Sequence, residues 1–379
     1  MESTVPTPSA ATPAAGTRLL AQIASYYAAF ITLGLVGASL GPTLRSLAEH
    51  THTEIGVIGL LFTMRALGYL VGTVLSGMLY DRFRGHPVMA LALFGLAVLM
   101  ALTPLAPLLA AIIVIFLLLG VGEGFVDVGG NTLLVWARRG DVGPHMNGLH
   151  FCFGVGAFVA PIIIAQVVTF GGATLWSYWV LAALCLPAAV ALLRLPSPAA
   201  LHTAEVDDSP STNYWLVAVF ALFFLLFVAA ELGFGGWLAS YAQALQLTDE
   251  ATAAYLTSAF WGALTAGRLL AIPLAARLRP RTILIGDLLG CSISVGFIIV
   301  WPQSLIALWV GAIGMGLAMA SIFPTTISFA ARRMTITGRV TSCFLVGVSL
   351  GAMTVPWLIG QLFEAIGPQI MMIVVLIDL

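Results

Sequence analysis

"GTVLSGMLYDRFRGH" (72–86) and "GRLLAIPLAARLRPR" (267–281) are one pattern met twice, 195 positions apart. The shift sets Arg82 over Arg277 and Arg84 over Arg279. It also lays "GAFVAP" (156–161) on "GAMTVP" (351–356), with Gly, Ala and Pro in register. One residue out of step, "ARR" at 137–139 meets "ARR" at 331–333. Agreement of separate pieces at one offset marks an internal duplication. The predicted organisation is a disordered tail over 1–18, a first bundle over 19–194, a linker over 195–212 and a second bundle over 213–379. The linker, "LPSPAALHTAEVDDSPST", has the Pro, Ser and acidic content of a flexible connector.

Each half is built for lipid. Sixty per cent of residues are hydrophobic and 8% charged, against about a quarter charged in a soluble domain. A net charge of −1 carries no nucleic-acid footprint. A helix needs about 20 apolar residues to cross the hydrocarbon core. Cutting at charged, Pro and Gly clusters gives spans 19–41, 55–80, 87–107, 109–136, 147–168, 174–194, 213–241, 251–276, 282–301, 305–330, 338–362 and a final one from 368. That last segment, Gln369–Leu379, rises only about 17 Å as a helix. The predicted fold is an all-α membrane protein of twelve transmembrane helices in two pseudo-symmetric six-helix bundles, with helix 12 incomplete. Cys152, Cys185, Cys291 and Cys343 lie inside apolar segments at no metal-ligand spacing and read as small core residues. The first eighteen residues lack the basic and apolar regions of a cleaved signal.

All fifteen basic residues are arginine. Twelve fall in the tail or alternate loops: Arg18, Arg82, Arg84, Arg138, Arg139, Arg194, Arg277, Arg279, Arg281, Arg332, Arg333 and Arg339. The opposite loops hold only Arg45. The positive-inside rule then puts both termini in the cytoplasm of a multi-pass plasma-membrane protein. Parallel six-helix repeats about an axis along the membrane normal are a transporter architecture.

"GMLYDRFRG" (77–85) is similar to the G-x-x-x-D-R-x-x-G loop of the major facilitator superfamily. "GEGFVDVGGNTLLVW", "GPHMNGLHFCFGVGAFVAP", "ELGFGGWLASYA" and "FWGALTAGRLLAI" resemble its fucose:proton symporter branch, nearest the sodium-dependent glucose transporter-like proteins. The resemblance implies a central cavity lined by helices 1, 4, 7 and 10, with Glu123 facing it. It also implies a gate in which Asp81, beside Arg82 and Arg84, meets the start of helix 11 near Gly338–Thr341 when the cavity faces outward. The first span carries no acid between Arg18 and Arg45, where fucose:proton symporters have an aspartate.

Charges inside spans point to function, because each costs at least about 2.5–3.5 kcal/mol at the bilayer centre. Glu123, Asp127 and Asn131 stand at four-residue steps on one face of the fourth span. Asp127 and Asn131 either line the cavity or tie the helix to its neighbours. In the seventh span Glu231 is a second deep carboxylate, and Gly233, Gly235 and Gly236 permit a local break. Phe234, Trp237 and Tyr241 share a face: a stacking surface for a sugar ring, or an aromatic belt, which suits Tyr241. Arg65 either neutralises a cavity carboxylate or snorkels outward. His150 titrates near neutral pH or is a packing residue. Arg268 reads as structural, pairing with Asp287 or capping helix ends. Ser321, Thr325 and Thr326 around Pro324 are hydroxyl contacts or packing groups. Gln361 and Glu364 read as solvated.

No phosphate-binding Gly-rich loop, zinc motif or nucleophile elbow occurs, so the reading is not an enzyme and no cofactor is expected beyond a coupling ion. The function predicted is cation-coupled (Na⁺ or H⁺) uptake of a monosaccharide or similar small polar solute by a monomer in the bilayer. Glu123 and Glu231 are the candidate Na⁺ ligands. The rivals are a proton-coupled exporter of drugs or metabolites and a non-transporting membrane sensor.

Overall fold

A computed structural model describes residues 13–138, 142–200, 213–335 and 338–379. Its first half holds α1 (Pro13–Gly37), α2 (Leu40–His50), α3 (Ile55–Ile58), α4 (Leu60–Arg82), α5 (Gly85–Leu102), α6 (Leu109–Arg138), α7 (Gly143–Thr169) and α8 (Ser177–Arg194). The second holds α9 (Tyr214–Ala244), α10 (Glu250–Arg277), α11 (Pro280–Val300), α12 (Leu305–Met319), α13 (Ile322–Ala331), α14 (Gly338–Ile366) and α15 (Ile370–Asp378). Among the described residues, eleven helical segments are long and apolar enough to cross a membrane. The twelfth, α15, has nine residues. No strand occurs among the described residues. Of the expected tail and linker, residues 1–12 and 201–212 lie outside the description, and 13–18 already belong to α1.

Three spans are interrupted: α3 gives way to α4 at Gly59, and the other two breaks share one cause. A proline removes its own N–H and crowds the carbonyl four residues back. Pro42 stands four residues after Ala38, where α1 gives way to α2. Pro324 stands four after Ala320, where α12 gives way to α13. The glycines at 233, 235 and 236, expected to permit a break, leave α9 continuous over 31 residues. They serve close approach instead. A Cβ on Gly235 would fall 2.7 Å from the Phe260 ring, and one on Gly236 2.7 Å from Phe62.

Within the first half, α4 and α6 run parallel with their backbones in contact. A Cβ on Gly68 would lie 1.9 Å from the Leu117 carbonyl oxygen, and one on Gly120 1.9 Å from that of Arg65. Only glycine fits this seam.

The two halves meet along two seams, α4 with α14 and α7 with α10. Thr63 Oγ1 donates to Met353 O (2.6 Å) and Gln361 Nε2 to Gly56 O (2.8 Å). Across the other seam Ser258 Oγ donates to Phe158 O (2.7 Å) and Gln166 Nε2 to Tyr255 Oη. Ser46 Oγ adds a bond to Glu250 Oε1 (2.6 Å), and a Cβ on Gly41 would sit 2.9 Å from Gly236 O. These contacts run from mid-span to the arginine-poor end. Towards the arginine-rich end α4 and α14 present exposed residues, among them Asp81, Arg82 and Ser342. The cleft between the halves is therefore closed at the arginine-poor end and accessible from the other.

Candidate functional site

On α6, Glu123 is 4% exposed and held from two sides by one guanidinium. Arg65 Nε donates to Oε2 at 2.7 Å and Nη2 to Oε1 at 2.5 Å. The third donor, Nη1, reaches Gly37 O at 2.8 Å. That carbonyl ends α1, where the break leaves it without a helical partner. Arg65 thus binds the interrupted first span to the fourth and does not snorkel.

One turn on, Asp127 accepts a hydrogen bond from Tyr69 Oη, and Asn131 Nδ2 donates to Asp127 Oδ1 at 3.0 Å and to its carbonyl at 2.9 Å. The pairs Arg65–Glu123 and Tyr69–Asp127 share a sequence separation of 58. The seam is a ladder in which Arg65 and Tyr69 face Glu123 and Asp127, with Asn131 steadying Asp127 from its own helix. The carboxylate rail stands out in the sequence and the facing rail does not. Its signal is nonetheless there: the same four-residue step on α4 as on α6.

His150, on α7, is exposed, and its ring meets the edge of Phe30 at 5.7 Å between centroids. Asp127 and Arg268 are the charges that act on it. Glu231 on α9 and Arg268 on α10 are half-buried, and each is the opposite charge felt by the other. They form no direct ion pair. Among the described residues, pairs within 4.0 Å are Arg65–Glu123 and the surface pair Arg45–Glu49. Arg268 therefore belongs with Glu231 rather than with Asp287, whose carboxylate accepts from Ser321 Oγ at the break between α12 and α13.

Phe234 and Trp237 are fully buried. Trp237 packs between Phe62 and Phe363 and donates from Nε1 to Pro356 O at 2.9 Å, closing the arginine-poor end. Neither ring offers a free face in this conformation. Tyr241, expected in an interfacial belt, is 1% exposed and belongs to the core. Gln361 is exposed, as expected, and its amide also bridges the halves. Asp81, Arg82 and Arg84 are exposed at the arginine-rich end, and Asp81 forms no ion pair among the described residues. The expected contact region near the start of α14 borders residues 336–337, which lie outside the description, as does Arg139.

A duplicated bundle of membrane-crossing helices, with intramembrane charges inside each half and a cleft closed at one end, has the architecture of a solute transporter. The chain belongs to the major facilitator superfamily, whose pattern matches residues 19–356. It is 30% identical over 378 residues to sodium-dependent glucose transporter 1A of Mus musculus, covering 89% of this chain and 88% of that one. Human sodium-dependent glucose transporter 1 is also 30% identical, over 88% of this chain and 72% of its own. The crystal structure of a mutant of the nucleoside transporter NupG superposes with a TM-score of 0.78, covering 94% of this chain and 96% of that one. At 13% identity that likeness shows the fold alone.

Proposed function

We propose that the chain carries a monosaccharide or similar small polyol by alternating access, coupled to one monovalent cation, Na⁺ or H⁺. The supporting observation is a charge count. Leaving aside Asp287, which lies on α11 and is bonded to Ser321, Glu123, Asp127 and Glu231 bring three negative charges and Arg65 and Arg268 two positive ones. With His150 neutral the sum is 2 − 3 = −1. A single uncompensated negative charge between apolar walls favours one added cation, and carboxylate with carbonyl or hydroxyl oxygens is hard-cation chemistry. Arg65 occupies both oxygens of Glu123, so the exchangeable carboxylates are Asp127 and Glu231. The solute class is supported by the likeness to sodium-dependent glucose transporters. The arginine-rich end, with the N-terminus, is assigned to the cytoplasm and the membrane to the cell surface.

Counterflow in proteoliposomes with a hexose panel, with and without Na⁺ at fixed pH and ionic strength, tests this. Reciprocal linkage requires solute affinity to rise with Na⁺ if Na⁺ is the partner. A pH-dependent affinity indifferent to Na⁺ assigns H⁺. Accumulation of a lipophilic cation in place of a hexose selects an exporter, and absence of flux selects a sensor.

Asp81 is proposed as the lock of the opposite conformation, in which its carboxylate meets the N-terminus of α14. Such a contact contributes about 0.3–1 kcal/mol, and up to ~2 when partly buried. The repeat places Ala276 at the matching position, so the lock acts on one seam only. Asp81→Asn is expected to shift the population further towards arginine-rich-end-open, slowing net uptake more than it weakens equilibrium binding. Label distances between the ends of α4 and α14 check it, and an unchanged distribution rejects the lock.

A further inference from the structure

The contacts across the two seams repeat at the offset of the duplication. Adding 195 to Thr63 gives Ser258, and adding it to Phe158 gives Met353. Thus Thr63 Oγ1 to Met353 O (2.6 Å) and Ser258 Oγ to Phe158 O (2.7 Å) are one hydrogen bond built twice. Each acceptor lies three residues before a helix-interior proline, Pro161 in α7 and Pro356 in α14. A proline disturbs the turn before it, and a carbonyl with two lone pairs can hold a helical donor and a cross-seam donor together. The offset recurs a third time: Gln166 plus 195 is Gln361, and both glutamine amides donate across the seams.

Each seam therefore carries two bonds eight residues apart on the acceptor helix, α7 or α14. Phe158 and Met353 sit near the middle of their helices, and the glutamines nearer the arginine-poor end. Eight residues are about 12 Å of helix. The two mid-helix bonds stand on opposite sides of the central cleft, related by the pseudo-two-fold axis. They define a line across the molecule between the halves. Rotation about that line leaves both mid-helix bonds in place. A rotation of about 15°, the size of known subunit rotations, moves a point ~12 Å from the axis by about 3 Å. That displacement is enough to break a hydrogen bond.

We propose that the two hydroxyl-to-carbonyl bonds, Thr63–Met353 and Ser258–Phe158, are the pivots on which the halves rock, and that Gln166 and Gln361 are the locks released when the arginine-poor end opens. The pivots hold in both conformations; the locks hold in one.

Bridged cysteine pairs separate the two roles. In a background with Cys152→Ser and Cys343→Ser, a short bis(methanethiosulfonate), which forms a disulfide at each thiol and releases methanesulfinate, joins Thr63→Cys to Met353→Cys, or Ser258→Cys to Phe158→Cys, as pivot bridges. Gln166→Cys joined to Tyr255→Cys is the lock bridge. Opening of the arginine-poor end is read by hydrogen–deuterium exchange of amides in 41–59 and 354–366, which needs no transported solute. The lock bridge is expected to slow that exchange by about tenfold or more, while either pivot bridge leaves it within about twofold of the reduced form. The two pivot pairs are independent, so poor expression of one leaves the other decisive. Failure of the reagent to bridge any folded pivot pair, or suppression of exchange by a pivot bridge as deep as by the lock bridge, overturns the proposal.

Discussion

Arg65→Met is expected to cost about 3–5 kcal/mol of stability, the loss that follows when one partner of a buried ion pair is removed. Glu123 is 4% exposed and both its oxygens bind Arg65, so the variant strands a carboxylate with no water to replace the guanidinium. The carbonyl of Gly37 loses its donor at the same time. Glu123→Gln is the milder case, because an amide oxygen still accepts one of the two bonds. The double variant Arg65→Met with Glu123→Met is expected to recover most of the loss, since apolar replacement of a whole buried pair is often neutral or stabilising. Thermal unfolding in detergent compares the three. A single variant as stable as wild type would mean the pair adds nothing to the fold. Solute flux in the folded double variant then reports on Glu123 separately: retained cation-dependent flux removes it from coupling.

The second large effect belongs to Glu231. Glu231→Gln brings the charge count of the cleft to zero while leaving Arg268 in place. Uphill accumulation is expected to disappear, since no uncompensated charge remains to draw a cation, whereas exchange between equal solute pools continues. Asp127→Asn reaches the same sum from the other half, and the two variants should agree if the charge count governs coupling. Solute affinity is measured against Na⁺ at constant pH, and against pH without Na⁺. Persistence of the wild-type cation dependence in Glu231→Gln would reject the count. Divergence of the two variants would assign the cation to one carboxylate.

The fold was legible because its signals are long and repeated. The span read at 109–136 is α6, Leu109–Arg138, and that at 305–330 is α12 with α13. The helix breaks were not legible. Pro42 and Pro324 were visible, but so were Pro161, Pro187, Pro273 and Pro356, which α7, α8, α10 and α14 carry without interruption. Whether a proline ends a helix depends on what satisfies the carbonyls around it, and that is tertiary information. The carboxylates at 123, 127 and 231 stood out because a charge in an apolar run is costly wherever it points. Their partners did not. Tyr69 is an ordinary aromatic in a membrane segment until α4 is laid beside α6. Arg268 could not be given to Glu231 rather than Asp287 without knowing how α10 lies against α9 and α11.

The glycine seam between α4 and α6 has a further consequence for engineering. Backbones in direct contact and a ladder of buried polar pairs make those two helices one stiff beam. Conformational switching then draws its energy from the boundary between halves and hardly at all from inside a half. Thermostabilising substitutions confined to the α4–α6 beam should raise the melting temperature without slowing turnover. The same gain sought along α4–α14 or α7–α10 would be traded directly against speed. A library for crystallisation belongs in the first place, and one for trapping a single state belongs in the second.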